Sequence, residues 1–222
     1  MSDPKLNHYL FLFCLVIFLG VAAVGVARAA DSPLAALVQA QRGIDEANSD
    51  LFNAVVDVSS VVDRAAGVLI AVFREQAAGS TGFGGEILGD NMAILAALAA
   101  STEEGAGHMA LLRPLMISEA RDFVVAGING GHFAGKPDPS VVPSRSSLAG
   151  ILRKMPEGRR EIVPGKLRSQ RDGRAHMSAT FNAPGAGSLP LELVFEQHNT
   201  GWRVVEIANV KELFYEAAKK HK

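Results

Sequence analysis

The chain has 222 residues, a formal net charge of −1 and 48% hydrophobic residues, a composition typical of a domain with an apolar core. Its single cysteine, Cys14, lies in an apolar N-terminal run, so the rest of the chain has no disulfide and no thiolate metal ligand. The basic residues are dispersed and form no stripe of the kind that binds nucleic acid, which excludes that class of partner.

The N-terminal region predicts export. Lys5 precedes the uncharged run from Tyr9 to Val26, and an A-x-A-like site ends at Ala29, which together predict a signal peptide over residues 1–29. The run exceeds the usual apolar length of about 7–15 residues, and about 18 residues can just span a bilayer. An uncleaved inner-membrane anchor is therefore the alternative. Both interpretations place residues 30–222, predicted as one domain, in the periplasm.

Charge differs between the two parts of this domain. Residues 31–152 carry 14 acidic and 7 basic residues, whereas residues 153–222 carry 8 acidic and 13 basic residues. We expect the two parts to pack or face one another with complementary fields. A basic surface for an anionic partner is the alternative.

The first part reads as helices. Ser32-Pro33 is a favourable helix start, Asn48-Ser49-Asp50 interrupts the apolar periodicity, and Leu51 to Gln76 follows as two helices hinged near Asp57 to Ser60. Residues of about 77–144 are predicted as a helical and loop insertion. It contains a glycine-rich loop, a short apolar helix, a helix that begins at Pro114, and a proline-rich connector (79–89, 90–100, 114–129 and 132–147).

The last third changes to a period of two, which predicts an antiparallel meander. The four predicted strands are Glu161 to Arg171, Arg174 to Asn182, Leu189 to Gln197 and Trp202 to Asn209. Asp172-Gly173 is a strong hairpin signal, and Asn209 is expected to cap a tail helix over Lys211 to Lys220. Helices followed by strands predict an α+β fold, with N-terminal helices packed on the meander and a C-terminal helix.

Several segments carry a family resemblance. Asp50-Leu51-Phe52, Val56-Asp57-Val58, Leu191 to Phe195 and Gly201-Trp202-Arg203-Val204-Val205 resemble exported bacterial proteins of unknown function with a nuclear-transport-factor-2-like (cystatin-like) cone. The resemblance covers about half of the domain. It implies a curved sheet wrapped on helices with a pocket at the mouth of the cone, and it implies no particular chemistry.

The segment Gly130 to Lys136 imitates a phosphate loop, with four residues between Gly130 and Gly135-Lys136. The next position should carry a hydroxyl for Mg²⁺ but is Pro137, and the preceding segment is a predicted helix rather than a strand. We therefore expect no nucleotide and no other cofactor.

The histidines predict no metal site. His108, His132, His176 and His198 have no pair at a spacing of three to five residues, and surface solvation explains most of them. His132 differs because it lies among glycines in a loop, where it could be presented to a ligand. It is a candidate pocket residue.

Three further residues are candidate pocket residues. Asp57 and Asp63 could serve as a general base in an apolar pocket. Helix capping and solvation, which explain Asp50 and Asp57 without a pocket, are the favoured interpretation. Trp202, the sole tryptophan, is expected to be a core or rim anchor rather than a ligand platform.

These patterns contain no catalytic constellation. They predict a non-enzymatic exported domain of the cell envelope that binds a small apolar ligand or a protein partner. The alternative is a carboxylate-dependent hydrolase or isomerase with its site inside the cone, which depends on Asp57 or Asp63.

Overall fold

The computed structural model describes residues 30–78, 103–138, 140–141, 152, 156–185 and 187–219. The apolar run from Tyr9 to Val26, the glycine-rich loop, the short apolar helix after it and the last part of the connector (142–147) lie outside these residues. Within the ranges described, none of the helices combines the length and the apolar character needed to cross a bilayer.

The fold is α+β, as predicted. Among the described elements, four helices precede the sheet: α1 (Pro33–Asp45), α2 (Ser49–Asn53), α3 (Val58–Ala78) and α4 (Glu103–Asn129). The strands β1 (Glu161–Arg171), β2 (Arg174–Ala183), β3 (Gly187–His198) and β4 (Gly201–Ile207) form an antiparallel sheet in the order β1-β2-β3-β4, and α5 (Val210–Lys219) follows.

Polar side chains start the first three helices. Ser32 Oγ accepts a hydrogen bond from Ala35 N at 3.1 Å, and Asn48 Oδ1 accepts from Asp50 N and Leu51 N. The predicted hinge at residues 57–60 is placed too late, because Asp57 Oδ1 accepts from Ser60 N at 3.0 Å and so begins α3. The interruption lies at residues 54–57, where Val56 forms a parallel bridge with Val204 of β4.

The prediction that a helix begins at Pro114 is wrong. Pro114 lies inside α4, which already begins at Glu103. An interior proline costs a helix about 3 kcal/mol, but the flanking Ala110-Leu111-Leu112 and Leu115 are good helix formers, and the helix continues on both sides. The C-terminal half of α4 is held by burial, since Phe123 and Ile128 are fully buried in the main core.

The sheet contributes one face to that core. Asp172 and Gly173 both have positive φ, 49° and 72°, so the predicted Asp-Gly hairpin turn is confirmed. Along β2 the burial alternates, as the period of two predicts. Among the described residues, the largest fully buried apolar side chains come from the helices, the turn after α4 and the sheet: Phe52, Phe123, Phe133, Phe181, Phe195, Leu37, Ile44 and Ile128.

Asn209 acts differently from the prediction. Its side-chain Oδ1 accepts from Glu192 N at 2.9 Å and its Nδ2 donates to Pro190 O, so the amide ties the start of α5 to β3. Asn209 begins the helix through its main-chain oxygen, which accepts from Leu213 N at 3.0 Å. The helix docks through its apolar face as expected, with Leu213 and Phe214 buried.

Candidate functional site

A cavity of about 120 Å³ lies where the turn after α4 (residues 130–137) meets the segment before β1 (residues 156–160). Its walls come from both segments and from Leu152: His132, Gly135, Pro137, Leu152, Pro156, Glu157, Gly158 and Arg160. We treat this cavity as the candidate functional site.

The turn that forms one wall depends on glycine. Gly131 and Gly135 have φ of 67° and 72°, and a Cβ at Gly135 would lie 2.5 Å from Arg159 N. The two segments therefore touch through their backbones, a contact that excludes any larger residue. Phe133 anchors the turn, because its buried ring packs on Phe123 with the ring centroids 5.9 Å apart.

Arg160 joins the two walls. The residue is only 1% exposed, and its guanidinium donates to the main-chain oxygens of His132 (2.9 Å), Gly158 (3.1 Å) and Pro156 (2.9 Å). It also lies over the ring of Phe133, with Cζ 5.8 Å from the centroid. Hydrogen bonds from a charged donor are stronger than those of neutral groups, so Arg160 fixes the shape of the cavity.

Helix α1 holds the second wall in place. The side-chain amide of Gln41 substitutes for a neighbouring strand: Oε1 accepts from Ile162 N at 2.7 Å and Nε2 donates to Arg160 O at 3.3 Å. Arg159 forms a bidentate pair with Asp45, with N–O distances of 2.8 and 2.7 Å. That pairing lowers the pKa of Asp45 against the opposing effect of burial.

His132 is half-buried at the cavity wall. Burial first, and the positive charge of Arg160 second, lower its pKa below the ordinary value of 6.5. The imidazole is therefore neutral at pH 7, with one nitrogen able to donate a hydrogen bond and the other able to accept one.

The other predicted pocket residues lie elsewhere. Asp57 caps α3, and Asp63 forms an ion pair with Arg113 of α4. Trp202 is 3% exposed within the main core. Of the four candidates, only His132 lines the cavity. Asp57 has the capping role that the sequence left open, whereas the ion pair of Asp63 was not predicted.

Arg160 is the site residue that the sequence reasoning missed. Its only signal is its position after Gly158-Arg159 and directly before β1, whose later residues include the exposed basic Lys166, Arg168 and Arg171. Charged residues are rarely buried, so nothing in the local sequence separates Arg160 from its exposed neighbour Arg159.

The structure offers no cluster of metal ligands within the ranges it describes. Gly130 to Lys136 forms a sequence of turns after α4, with Lys136 N donating to Gly131 O at 2.9 Å. This segment has neither the preceding strand nor the following helix of a phosphate loop.

Comparisons with models of protein families, with curated protein sequences and with solved structures found no significant match for this chain. The geometry of the cavity is therefore the basis for the function proposed below.

Proposed function

We propose that the chain is an exported, non-enzymatic binding domain of the cell envelope, and that it holds a small ligand in the cavity between the turn after α4 and the segment before β1. The observation that carries the proposal is that cavity, whose wall is built around the buried Arg160.

The dimensions support a small ligand. A cavity of about 150 Å³ can hold benzene, so 120 Å³ has room for about five or six non-hydrogen atoms. The lining combines three apolar residues, Pro137, Leu152 and Pro156, with the polar groups of His132 and Arg160. A few polar groups in a mostly apolar wall is the usual composition of a binding site.

Export is supported by the N-terminal sequence pattern and by the position of Ala30. This residue follows the predicted cleavage position, is buried, and accepts a hydrogen bond from Trp202 N at 3.0 Å. The domain therefore reaches back to the predicted processing site. The periplasm, or the periplasmic side of an anchored protein, stays our proposal for its location.

A protein partner ranks second. Leu34 and Val38 are 48% and 55% exposed on consecutive turns of α1, which gives an apolar surface for contact. One helical turn is a small area, however, and the cavity is the more specific feature. The carboxylate-dependent enzyme ranks last, since neither Asp57 nor Asp63 lines the cavity.

The cone-like fold is also part of the proposal. Helices packed on one face of a four-stranded antiparallel sheet, with Val56 bridging the edge strand at Val204, support a nuclear-transport-factor-2-like arrangement. Such a fold would not assign an activity.

Native mass spectrometry of the protein purified from envelope fractions tests the function. We expect a bound small molecule on the wild type and its loss in Pro137→Trp, where an indole is introduced at an exposed residue of the cavity wall. Val163→Trp, at an exposed position of β1 that does not line the cavity, is the matched control and should retain the ligand.

The same spectra give the mass of the N-terminus, Ala30 for a cleaved signal peptide and Met1 for a retained anchor. A wild type without any bound molecule, or equal occupancy in Pro137→Trp, would contradict the proposal.

A further inference from the structure

The chemistry of the cavity wall allows the class of ligand to be narrowed. We propose that the cavity binds a short-chain carboxylate, with the carboxylate group towards His132 and Arg160 and the aliphatic chain against Pro137, Leu152 and Pro156. This inference rests on the proposed function.

Arg160 places a positive charge at the cavity wall. Arg160 is a permanent cation in a buried position at the cavity. Its charge acts on His132, since it is one of the two causes that lower the pKa of the imidazole. A cationic ligand would be repelled by the same field, whereas an anionic group would be attracted.

Another part of the cavity wall is apolar. Two proline rings and the buried side chain of Leu152 offer no hydrogen bonds to a ligand. An inorganic phosphate has polar oxygens on every side, and desolvating them against these residues is unfavourable. A carboxylate with a short aliphatic chain matches both the polar and the apolar parts.

The volume of the cavity limits the size of the ligand. Room for about five or six non-hydrogen atoms corresponds to a carboxylate of three or four carbons. Among the described residues, the exposed Glu157 is the acidic residue of the lining, and Lys136 lies in the same turn as His132. The carboxylate of Glu157 would repel a second negative charge on the ligand.

Binding should be coupled to a proton. A carboxylate beside His132 would favour the charged imidazole, opposing the effects of burial and of Arg160. Affinity should therefore increase as the pH falls from 7.5 to 5.5, a range in which the carboxylate itself stays ionised. Among the described residues, the charged groups of the lining are Arg160, which keeps its charge, and the exposed Glu157.

The test is an NMR titration of the full domain with propionate and with propionamide, which have the same number of non-hydrogen atoms and differ in charge. We expect propionate to shift the amide resonances of residues 132–137 and 156–160 and to bind about tenfold more tightly than propionamide, the difference of a charge-assisted hydrogen bond. Inorganic phosphate and propylammonium should bind more weakly than propionate.

Two variants locate the effect. His132→Gln keeps a polar side chain but cannot gain a charge, so propionate binding should lose its increase at low pH. Val163→Trp should bind propionate as the wild type does, because this residue lies outside the cavity wall.

The outcomes separate the two proposals. If propionamide, propylammonium or phosphate binds at these residues as tightly as propionate, the carboxylate assignment is wrong and the binding function stands. If no probe shifts the resonances of the cavity residues, the proposed function fails as well.

Discussion

Asn53 shows how a single buried residue can reduce stability. It is 1% exposed, and within the described part of the chain neither Oδ1 nor Nδ2 of its side chain has a hydrogen-bond partner. Its main-chain oxygen is satisfied by Arg203, whose Nη2 donates at 3.1 Å and so caps the end of α2. The side-chain amide thus pays a desolvation penalty without compensation.

Asn53→Leu should therefore stabilise the domain by about 1 kcal/mol, because a leucine of similar size removes two unsatisfied polar atoms. Urea unfolding of the wild type and the variant measures the difference. A loss of stability would contradict the interpretation and would indicate that the amide has a partner, such as an ordered water molecule.

His132 should make stability depend on pH between about 5.5 and 7.5. Its pKa in the folded state is below the ordinary value of 6.5, so the unfolded chain takes up a proton first as the pH falls. The free energy of unfolding should therefore decrease as the pH falls through 6.5, and this contribution levels off below the folded pKa. Asp45 acts at lower pH, since its folded pKa lies below 3.8.

Denaturant unfolding at pH 7.5 and pH 5.5 tests this dependence against His132→Gln. The wild type should lose more stability than the variant over this interval. Equal losses in the two proteins would show that His132 is not the source.

At the scale of elements, the turn after α4 requires Gly135. The positive φ and the approach of 2.5 Å to Arg159 N mean that Gly135→Ala should destabilise the domain by about 2 kcal/mol and displace the cavity wall. Gly67→Ala is the matched control, because a Cβ there meets no atom within 4 Å and the residue lies in the middle of α3. The control should stabilise by about 0.5–1 kcal/mol.

Thermal unfolding of both glycine variants is the measurement. If Gly135→Ala were as stable as the wild type, the backbone contact between the turn and the segment before β1 would be refuted.

Asp57 distinguishes capping from catalysis. Asp57→Ala removes the acceptor for Ser60 N and should cost about 1 kcal/mol, whereas Asp57→Asn keeps an acceptor and should restore most of that loss. Chemical denaturation of the two variants checks the order. Should Asp57→Asn be as destabilised as Asp57→Ala, the negative charge rather than the cap would be the source.

At the scale of the whole molecule, the fold class and the sheet could be predicted from the sequence because their signals are local. Apolar and polar residues alternate along the strands, and burial in β2 follows this alternation. Asp172 and Gly173 form the hairpin turn through their own positive φ angles. The prediction of a helix start at Pro114 was wrong because proline favours the first turn of a helix only as a local preference. Here the C-terminal half of α4 is stabilised by tertiary burial, and the helix continues through the proline.

The cavity could not be predicted for a related reason. His132 and Arg160 are 28 residues apart, and only the folded chain brings the His132 main-chain oxygen to the guanidinium. The division into an acidic part (31–152) and a basic part (153–222) predicts some of the ion pairs between them but not all. Asp45 and Arg159 pair in the expected sense, but Arg64 of the acidic part pairs with Glu196 and Glu206 of the basic part.

We propose above all that the cavity between the turn after α4 and the segment before β1 is a binding site. An NMR screen of the ¹⁵N-labelled domain against small organic fragments, mapped by residue, tests it most directly. We expect fragments of about five or six non-hydrogen atoms to shift the amides of residues 132–137 and 156–160 in the wild type and not in Pro137→Trp. Shifts that fall only on other surfaces, or none with any fragment, would contradict it.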